Sequence, residues 1–199
     1  MHALRALTDD LFAPAMHQLV DDEQGGIRYW PAAIDPDTAR RWFDALRAGA
    51  AWTHLQRPMY DRIVDVPRLL ANYAVDHLPA DLPLAGLLAC VQARAPAPYS
   101  RIGMNLYRDG NDSVAMHGDK LHTLAAGHPI TLVSLGAPRR MLIRARDGAR
   151  ETLSVDLAPG SVLSMSHASQ RTHEHGIPKT RRPQGARISV VFRVRPTTA

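Results

Sequence analysis

The chain has 199 residues, 45% hydrophobic and 22% charged, which is enough apolar material for a core and too little charge bias for a disordered segment. No run reaches about 18 apolar residues and the N-terminus lacks a leader-like pattern, so neither a membrane span nor export is expected, and the single Cys90 excludes an internal disulfide and points to a reducing, cytoplasmic setting. A formal net charge of +5 permits a polyanionic partner, since excess Lys and Arg attract phosphates at long range, but does not require one.

Residues 1–25 read as a peripheral extension, in which a short apolar-spaced stretch from Leu4 to Leu19 runs into the polar break Asp21-Asp22-Glu23-Gln24-Gly25-Gly26. Residues 26–199 read as a single domain. A short strand is predicted at 27–30. Asp35-Pro36 then supplies an N-cap and a first-turn proline for a helix with Ala39, Trp42, Phe43 and Leu46 on one face. A second helix is predicted over 83–93, with Leu84, Leu87, Leu88 and Val91 as its buried stripe.

After Tyr99 the texture changes to short alternating or continuously apolar segments at 101–107, 113–117, 130–135, 140–146, 151–156, 162–166 and 187–194. Asp109-Gly110, Gly136-Ala137-Pro138, Asp147-Gly148 and Pro159-Gly160 punctuate them as turns. The pattern predicts a mainly β architecture: an eight-stranded double sheet, or jelly roll, with helices packed on one outer face.

His117-Gly118-Asp119 places an imidazole and a carboxylate two positions apart, on the same face of an extended strand. A histidine from the distant segment Thr172-His173-Glu174-His175-Gly176-Ile177-Pro178 would complete a two-histidine, one-carboxylate triad of the non-haem iron type, whose open positions suit a bidentate 2-oxo acid and dioxygen. His173 and His175 share a strand face and both are candidates; His122, His128 and His167 are more remote ones, with solvated loop histidines as the bland reading. In 187–193 the alternation puts Arg187, Ser189, Val191 and Arg193 on one face and Ile188, Val190 and Phe192 on the other. Either the arginines form an exposed stripe on an edge strand, or they line the barrel and require anions, which a dicarboxylate would supply at both ends. Asn105 and Tyr107 share a polar face in the same way.

Taken in order, Asn-x-Tyr-x-Asp-Gly at 105–110, His-x-Asp at 117–119, His-Gly-Ile-Pro-Lys at 175–179 and Arg-x-Ser-x-x-Phe-Arg at 187–193 resemble the signature of the AlkB family of nucleic-acid oxidative demethylases. The resemblance runs from about residue 67 to 193. It implies a double-stranded β-helix with His117, Asp119 and His175 on Fe(II). Asn105, Tyr107, Arg187, Ser189 and Arg193 would bind 2-oxoglutarate, Arg187 on its distal carboxylate and Arg193 near the metal-bound end. The family spacing to Arg187 selects His175 over His173. Residues 66–73 resemble the family's nucleotide-recognition lid, placed roughly over 56–76, with Tyr73 bordering the base. Arg68 and Leu121 complete the expected substrate contacts.

Four positions depart from the family pattern. Ser189 stands where Asn is usual, Leu121 where an acidic residue commonly contacts the base, and Asn72 and Ala74 flank Tyr73 where Trp or Thr and Gly are frequent. The implied activity is oxidative demethylation of 1-methyladenine or 3-methylcytosine in DNA, preferably single-stranded, by a monomer using O2. Lys120, Arg139, Arg140, Lys179, Arg181 and Arg182 are candidate phosphate contacts, as is Arg68. Leu121 keeps RNA, a protein side chain or a small molecule open as the substrate. A jelly-roll binding module without turnover and a zinc hydrolase are the readings from other classes.

Overall fold

The computed structural model describes residues 16–59, 62–147 and 152–196. Residues 1–15 of the expected 1–25 extension, residue 151 of the expected 151–156 strand and Gly148 of the Asp147-Gly148 turn lie outside the described residues. The first described strand, β1 (His17–Val20), pairs antiparallel with β2 (Ile27–Trp30). Between them Asp22 gathers the backbone N–H groups of Gln24 and Gly26, each at 2.8 Å, and the Ser166 hydroxyl at 2.6 Å. Residues 17–26 are thereby tied to the sheet edge.

Helix α1 (Pro36–Gly49) starts as its sequence predicts. The Asp35 carboxylate accepts the Thr38 N–H at 2.9 Å, and Pro36 occupies the first turn, where no backbone donor is needed. Next come the hairpin strands β3 (Thr53–Met59) and β4 (Arg62–Ala74), then α2 (Leu84–Gln92), which buries Leu84, Leu87 and Val91. The expected lid at 56–76 thus coincides with the end of β3 and all of β4, with residues 60 and 61 outside the description. Strands β5 (Arg101–Tyr107), β6 (Val114–His117), β7 (Ile130–Gly136), β8 (Arg139–Ala145), β9 (Thr152–Leu157) and β10 (Ser161–Met165) follow. The short α3 (Ser169–Thr172), β11 (His173–Ile177) and β12 (Arg187–Arg193) complete the described fold.

The described strands form an eight-stranded sheet in the order β1-β2-β10-β7-β12-β5-β4-β3 and a four-stranded sheet in the order β6-β11-β8-β9. From β5 onward the chain winds between the two sheets. β12 returns between β5 and β7, and β11 returns between β6 and β8, which is jelly-roll topology. The expected eight strands are this barrel; β1 to β4 widen the larger sheet on both sides.

Both faces of that sheet are covered. On the outer face Ile102, Met104 and Leu106 of β5, Val133 and Leu135 of β7, and Ile188, Val190 and Phe192 of β12 pack with Leu46, Leu84, Leu87 and Val91 from the two helices. On the inner face Tyr107, Leu132, Leu163 and Val191 meet Ile143 and Ile177 from the smaller sheet. β12 is therefore a central strand and not an edge. Phe192 is 0% exposed and meets Tyr99 edge-on at 5.8 Å between ring centroids; its truncation to Ala would cost about 3–5 kcal/mol. Gly136 closes β7 with φ 80°, and a Cβ there would lie 2.5 Å from the Ala186 carbonyl oxygen and 2.5 Å from the Phe43 ring, so α1 can seat directly on the sheet end.

Candidate active site

The strand alternation predicted for 187–193 is realised with the polar face inward. In the β5–β12 register Arg187 stands opposite Tyr107, Ser189 opposite Asn105, and Arg193 opposite Arg101. Arg187 is 1% exposed. Its Nε donates to the Ser134 hydroxyl at 2.8 Å, while Nη1 and Nη2 are buried without a hydrogen-bond partner. The Tyr107 ring lies 5.2 Å from the guanidinium carbon. Burial pushes the Arg187 guanidinium below its ordinary value, against a partial counter-effect from Tyr107. A fully buried cation with two unused nitrogens is strongly destabilising by itself and well suited to a bidentate carboxylate, so the residues present fit one end of 2-oxoglutarate.

Tyr107, 3% exposed, also has the Arg139 guanidinium carbon 5.6 Å from its ring. Asn105 accepts from Arg68 Nε at 2.7 Å, and Arg68 also donates Nη1 to the Ser113 carbonyl at 3.0 Å. Arg68, expected at the substrate, therefore orients Asn105 and ties β4 to the loop before β6. Ser189 is buried, across from Asn105 on one side and Ser134 on the other.

At the other end of this row lie the histidines. His117 on β6 and His175 on β11 face each other directly in register, their ring centroids 4.6 Å apart. His117 Nδ1 is 2.8 Å from the Ala115 carbonyl oxygen, which can only accept; Nδ1 therefore carries the proton and Nε2 keeps its lone pair for a metal. Burial, reinforced by His117, pushes the His175 imidazole down to about 4, so it stays neutral and ligand-competent near neutral pH. Asp119 accepts Arg193 Nε on Oδ2 at 2.6 Å, and its backbone N–H donates to the Gln170 side-chain oxygen at 3.0 Å. Burial would raise this carboxyl, but the Arg193 charge and hydrogen bond hold it below the usual carboxylate range. A Cβ on the intervening Gly118 would meet the Gln170 carbonyl oxygen at 2.8 Å, which explains a glycine inside His-x-Asp.

Among the described residues no three histidine, cysteine or acidic side chains already close on one point; the Asp119 carboxylate is drawn to Arg193. The donor set itself, two imidazoles and one carboxylate, is the type that suits Fe(II). His173 is two residues from His175 but pairs with Ala145, beyond the end of β6, and its Nδ1 contacts the Thr172 hydroxyl at 2.9 Å. Burial also pushes His167 down in the turn before α3, where the half-buried His128 lies in its field, and His122 is exposed.

Several expected substrate contacts fall elsewhere. Tyr73 packs against the helix-side core, its hydroxyl accepts the Ala51 N–H at 3.0 Å, and it also lines the cavity beside Arg101, Arg193 and Arg195. Arg139 is 3% exposed and spends its guanidinium on the carbonyl oxygens of Asp109, Asp112 and Pro178, so it organises loops and does not reach phosphates. Arg140 pairs with Asp156 at 3.1 Å on the surface. Lys120, Lys179, Arg181 and Arg182 are exposed, and Leu121 is half-buried in the turn after Asp119. Ser134 and Gln170 were not singled out by sequence; a serine inside the apolar β7, facing the same side as Leu132, was the one signal available.

The profile of the 2OG-Fe(II) oxygenase superfamily matches residues 76–193, more than half of the chain. The chain belongs to that superfamily, whose members use Fe(II), 2-oxoglutarate and O2. Within it, the chain is similar to AlkB homologues. DNA oxidative demethylase ALKBH2 of Bos taurus is 34% identical over 108 residues, 50% of this chain and 39% of that protein. Alpha-ketoglutarate-dependent dioxygenase alkB homolog 3 of Mus musculus is 25% identical over 183 residues, 82% of this chain and 64% of that protein. The chain thus spans about two-fifths to two-thirds of the length of these relatives. A solved structure of OsALKBH1 superposes with TM-score 0.60 at 16% identity, covering 85% of this chain and 96% of that one, and so supports the fold. No helix among the described residues is long and apolar enough to cross a membrane.

Proposed function

We propose that this chain oxidatively demethylates N-alkylated bases in DNA, 1-methyladenine and 3-methylcytosine in particular. The observation that carries the reading is Arg187, a fully buried guanidinium with two unpartnered nitrogens at one end of a polar row whose other end is Arg193, Asp119 and the His117–His175 pair. The polarity of that row suits a dicarboxylate bound between a cation and a metal. The names of the similar proteins, among them DNA oxidative demethylases, supply the substrate class.

In this reading His117 Nε2, Asp119 and His175 hold Fe(II). When bound, Fe(II) with 2-oxoglutarate and O2 supplies hydroxylation of a C–H bond, the cosubstrate leaving as succinate and CO2. Arg187 binds the distal carboxylate, with Tyr107, Asn105 and Ser189 shaping the channel, and Arg193 turns from Asp119 toward the metal-proximal end. Val191, Leu132 and Ile177 keep the barrel interior dry. A hydroxylated N-methyl group is a hemiaminal; its C–N bond breaks as the hydroxyl proton is lost, giving formaldehyde and the unmodified base. To reach the barrel mouth the base must leave its stack, which is cheapest from a single strand, so single-stranded DNA is the preferred substrate. Leu121 borders the base, Arg68 and Tyr73 act by holding β4, and the β3–β4 hairpin serves as the lid.

The protein works as a monomer in the cytoplasm. The large hydrophobics exposed among the described residues, Met16, Leu55 and Leu153, are far apart in sequence, and the single cysteine suits a reducing compartment. Succinate and formaldehyde measured from iron-loaded protein, with and without a strand containing 1-methyladenine or 3-methylcytosine, test the proposal. Joint, strand-dependent release supports it; succinate formation indifferent to the methylated strand rejects DNA as the substrate.

A further inference from the structure

The inward row of β5 and β12 carries more positive charge than a dicarboxylate can neutralise. Arg101 stands directly opposite Arg193 in the ladder, and Arg195 follows two positions further on. Like charges facing each other across antiparallel strands repel, and Asp119 is already engaged by Arg193 at 2.6 Å. Asp76 lies in the field of Arg101 but turns its Oδ1 to His77 at 3.1 Å. Burial, together with the Arg193 and Arg101 charges, pushes the Arg195 guanidinium below its ordinary value.

These three arginines line a cavity of about 380 Å³ with Asn72 and Gly103. The missing side chain at Gly103 keeps the floor open: a Cβ there would lie 3.3 Å from Arg193 Nη1 and 3.5 Å from Asn72 Oδ1. Arg195 is held at the rim by one donor, Nη1, on the Thr123 carbonyl at 2.7 Å, and by its backbone N–H on the Ser100 hydroxyl at 3.0 Å. Arg187 and Arg193 account for the two ends of 2-oxoglutarate, so Arg101 and Arg195, both exposed at the mouth, are left for an anion that arrives from outside.

We propose that Arg101 and Arg195 form a phosphate subsite that grips the nucleic-acid backbone beside the base presented to the metal end of the barrel. The inference rests on the nucleic-acid reading above. A nucleotide whose base enters the mouth leaves its phosphate at the rim, and guanidinium forks match phosphate oxygens in geometry and charge.

The test uses Mn(II)- and 2-oxoglutarate-loaded protein under nitrogen and a labelled single strand with one 1-methyladenine, compared with the same strand carrying neutral methylphosphonates on both sides of that base. Wild type should lose about tenfold in affinity on neutralisation. In R101Q/R195Q the two strands should bind within about twofold of each other, and the slope of log affinity against log salt should fall by about 0.7 per lost contact. The single R101Q variant alters an exposed side chain and should show an intermediate loss, guarding against misfolding once Arg195 leaves Thr123. Equal losses on neutralisation in wild type and both variants overturn the subsite while leaving the nucleic-acid reading standing; failure of wild type to bind either strand overturns both.

Discussion

Arg193 donates Nε to Oδ2 of Asp119 across 2.6 Å, joining the last described strand to the loop after β6, 74 residues earlier in the chain. Both side chains are mostly buried, at 21% and 13% exposure, so each is the other's main counter-charge. Arg193→Ala should cost about 1–3 kcal/mol, because it leaves a carboxylate unpaired in a partly screened pocket. A divalent cation can take over the role of the guanidinium. Mn(II) should therefore raise the melting temperature of Arg193→Ala by more than it raises that of wild type, as read by thermal denaturation; equal shifts would show that the metal does not meet Asp119.

Arg187 sets stability against function. Arg187→Met replaces an unpaired buried cation with an apolar chain of similar length, and the cofactor-free protein should become more stable by about 1–3 kcal/mol. In the same variant 2-oxoglutarate binding, measured by calorimetry with Mn(II), should weaken by about a hundredfold or more. Wild type should in turn gain about 2.7 kcal/mol when 2-oxoglutarate is present at 100 times its dissociation constant, and the variant should gain about 0.4 kcal/mol or less at that concentration.

Asp112 ties the turn between β5 and β6, accepting the backbone N–H and Nε of Arg108 at 2.9 and 2.8 Å while only 3% exposed. Burial would raise its carboxyl, but the Arg108 hydrogen bonds and charge win and hold it below the ordinary 3.8. A folded-state value below the unfolded one contributes stability that is fully present above the unfolded value and is lost as pH falls through the folded value. Asp112→Asn should cost about 1–3 kcal/mol at neutral pH. Its melting temperature should also depend less on pH below about 4 than that of wild type.

Gly136→Ala tests the seat of α1 on the barrel. With φ at 80° and backbone and ring atoms both 2.5 Å from the new Cβ, the β7 end and Phe43 must separate, and a loss of about 2–4 kcal/mol in denaturant titration is expected. An unchanged midpoint would mean that α1 is not held there.

The barrel strands, the capped α1 and the two-faced alternation of β12 were legible because each depends on local signals: alternation, turn residues and a capping aspartate. Which face of β12 turns inward was left open by the sequence and is decided by its central place between β5 and β7. The added strands were not. β3 and β4 contain Pro58 and Pro67 and mix polar with apolar residues without a clean period of two, so their pairing is dictated by the free edge of β5 more than by their own sequence. The site was legible as residue types and illegible as partnerships. Arg187, His117 and His175 lie where the motifs put them along the strands, whereas β6 ends at His117 and Asp119, expected on the same strand face, falls in the loop that follows. That Ser134 receives Arg187, that Gln170 receives the Asp119 N–H and that Tyr73 bonds Ala51 are tertiary facts with no local pattern to announce them. Arg68 and Arg139 show the same limit, since exposed and buried arginines look alike in a sequence.

The most direct measurement of the central claim is the mass of a single strand carrying 1-methyladenine before and after incubation with the protein, Fe(II), 2-oxoglutarate and O2. The account predicts loss of the methyl group from the strand with wild type, and an unchanged mass with Asp119→Ala or with 2-oxoglutarate omitted. A strand that keeps its methyl group while wild type converts 2-oxoglutarate to succinate would contradict it.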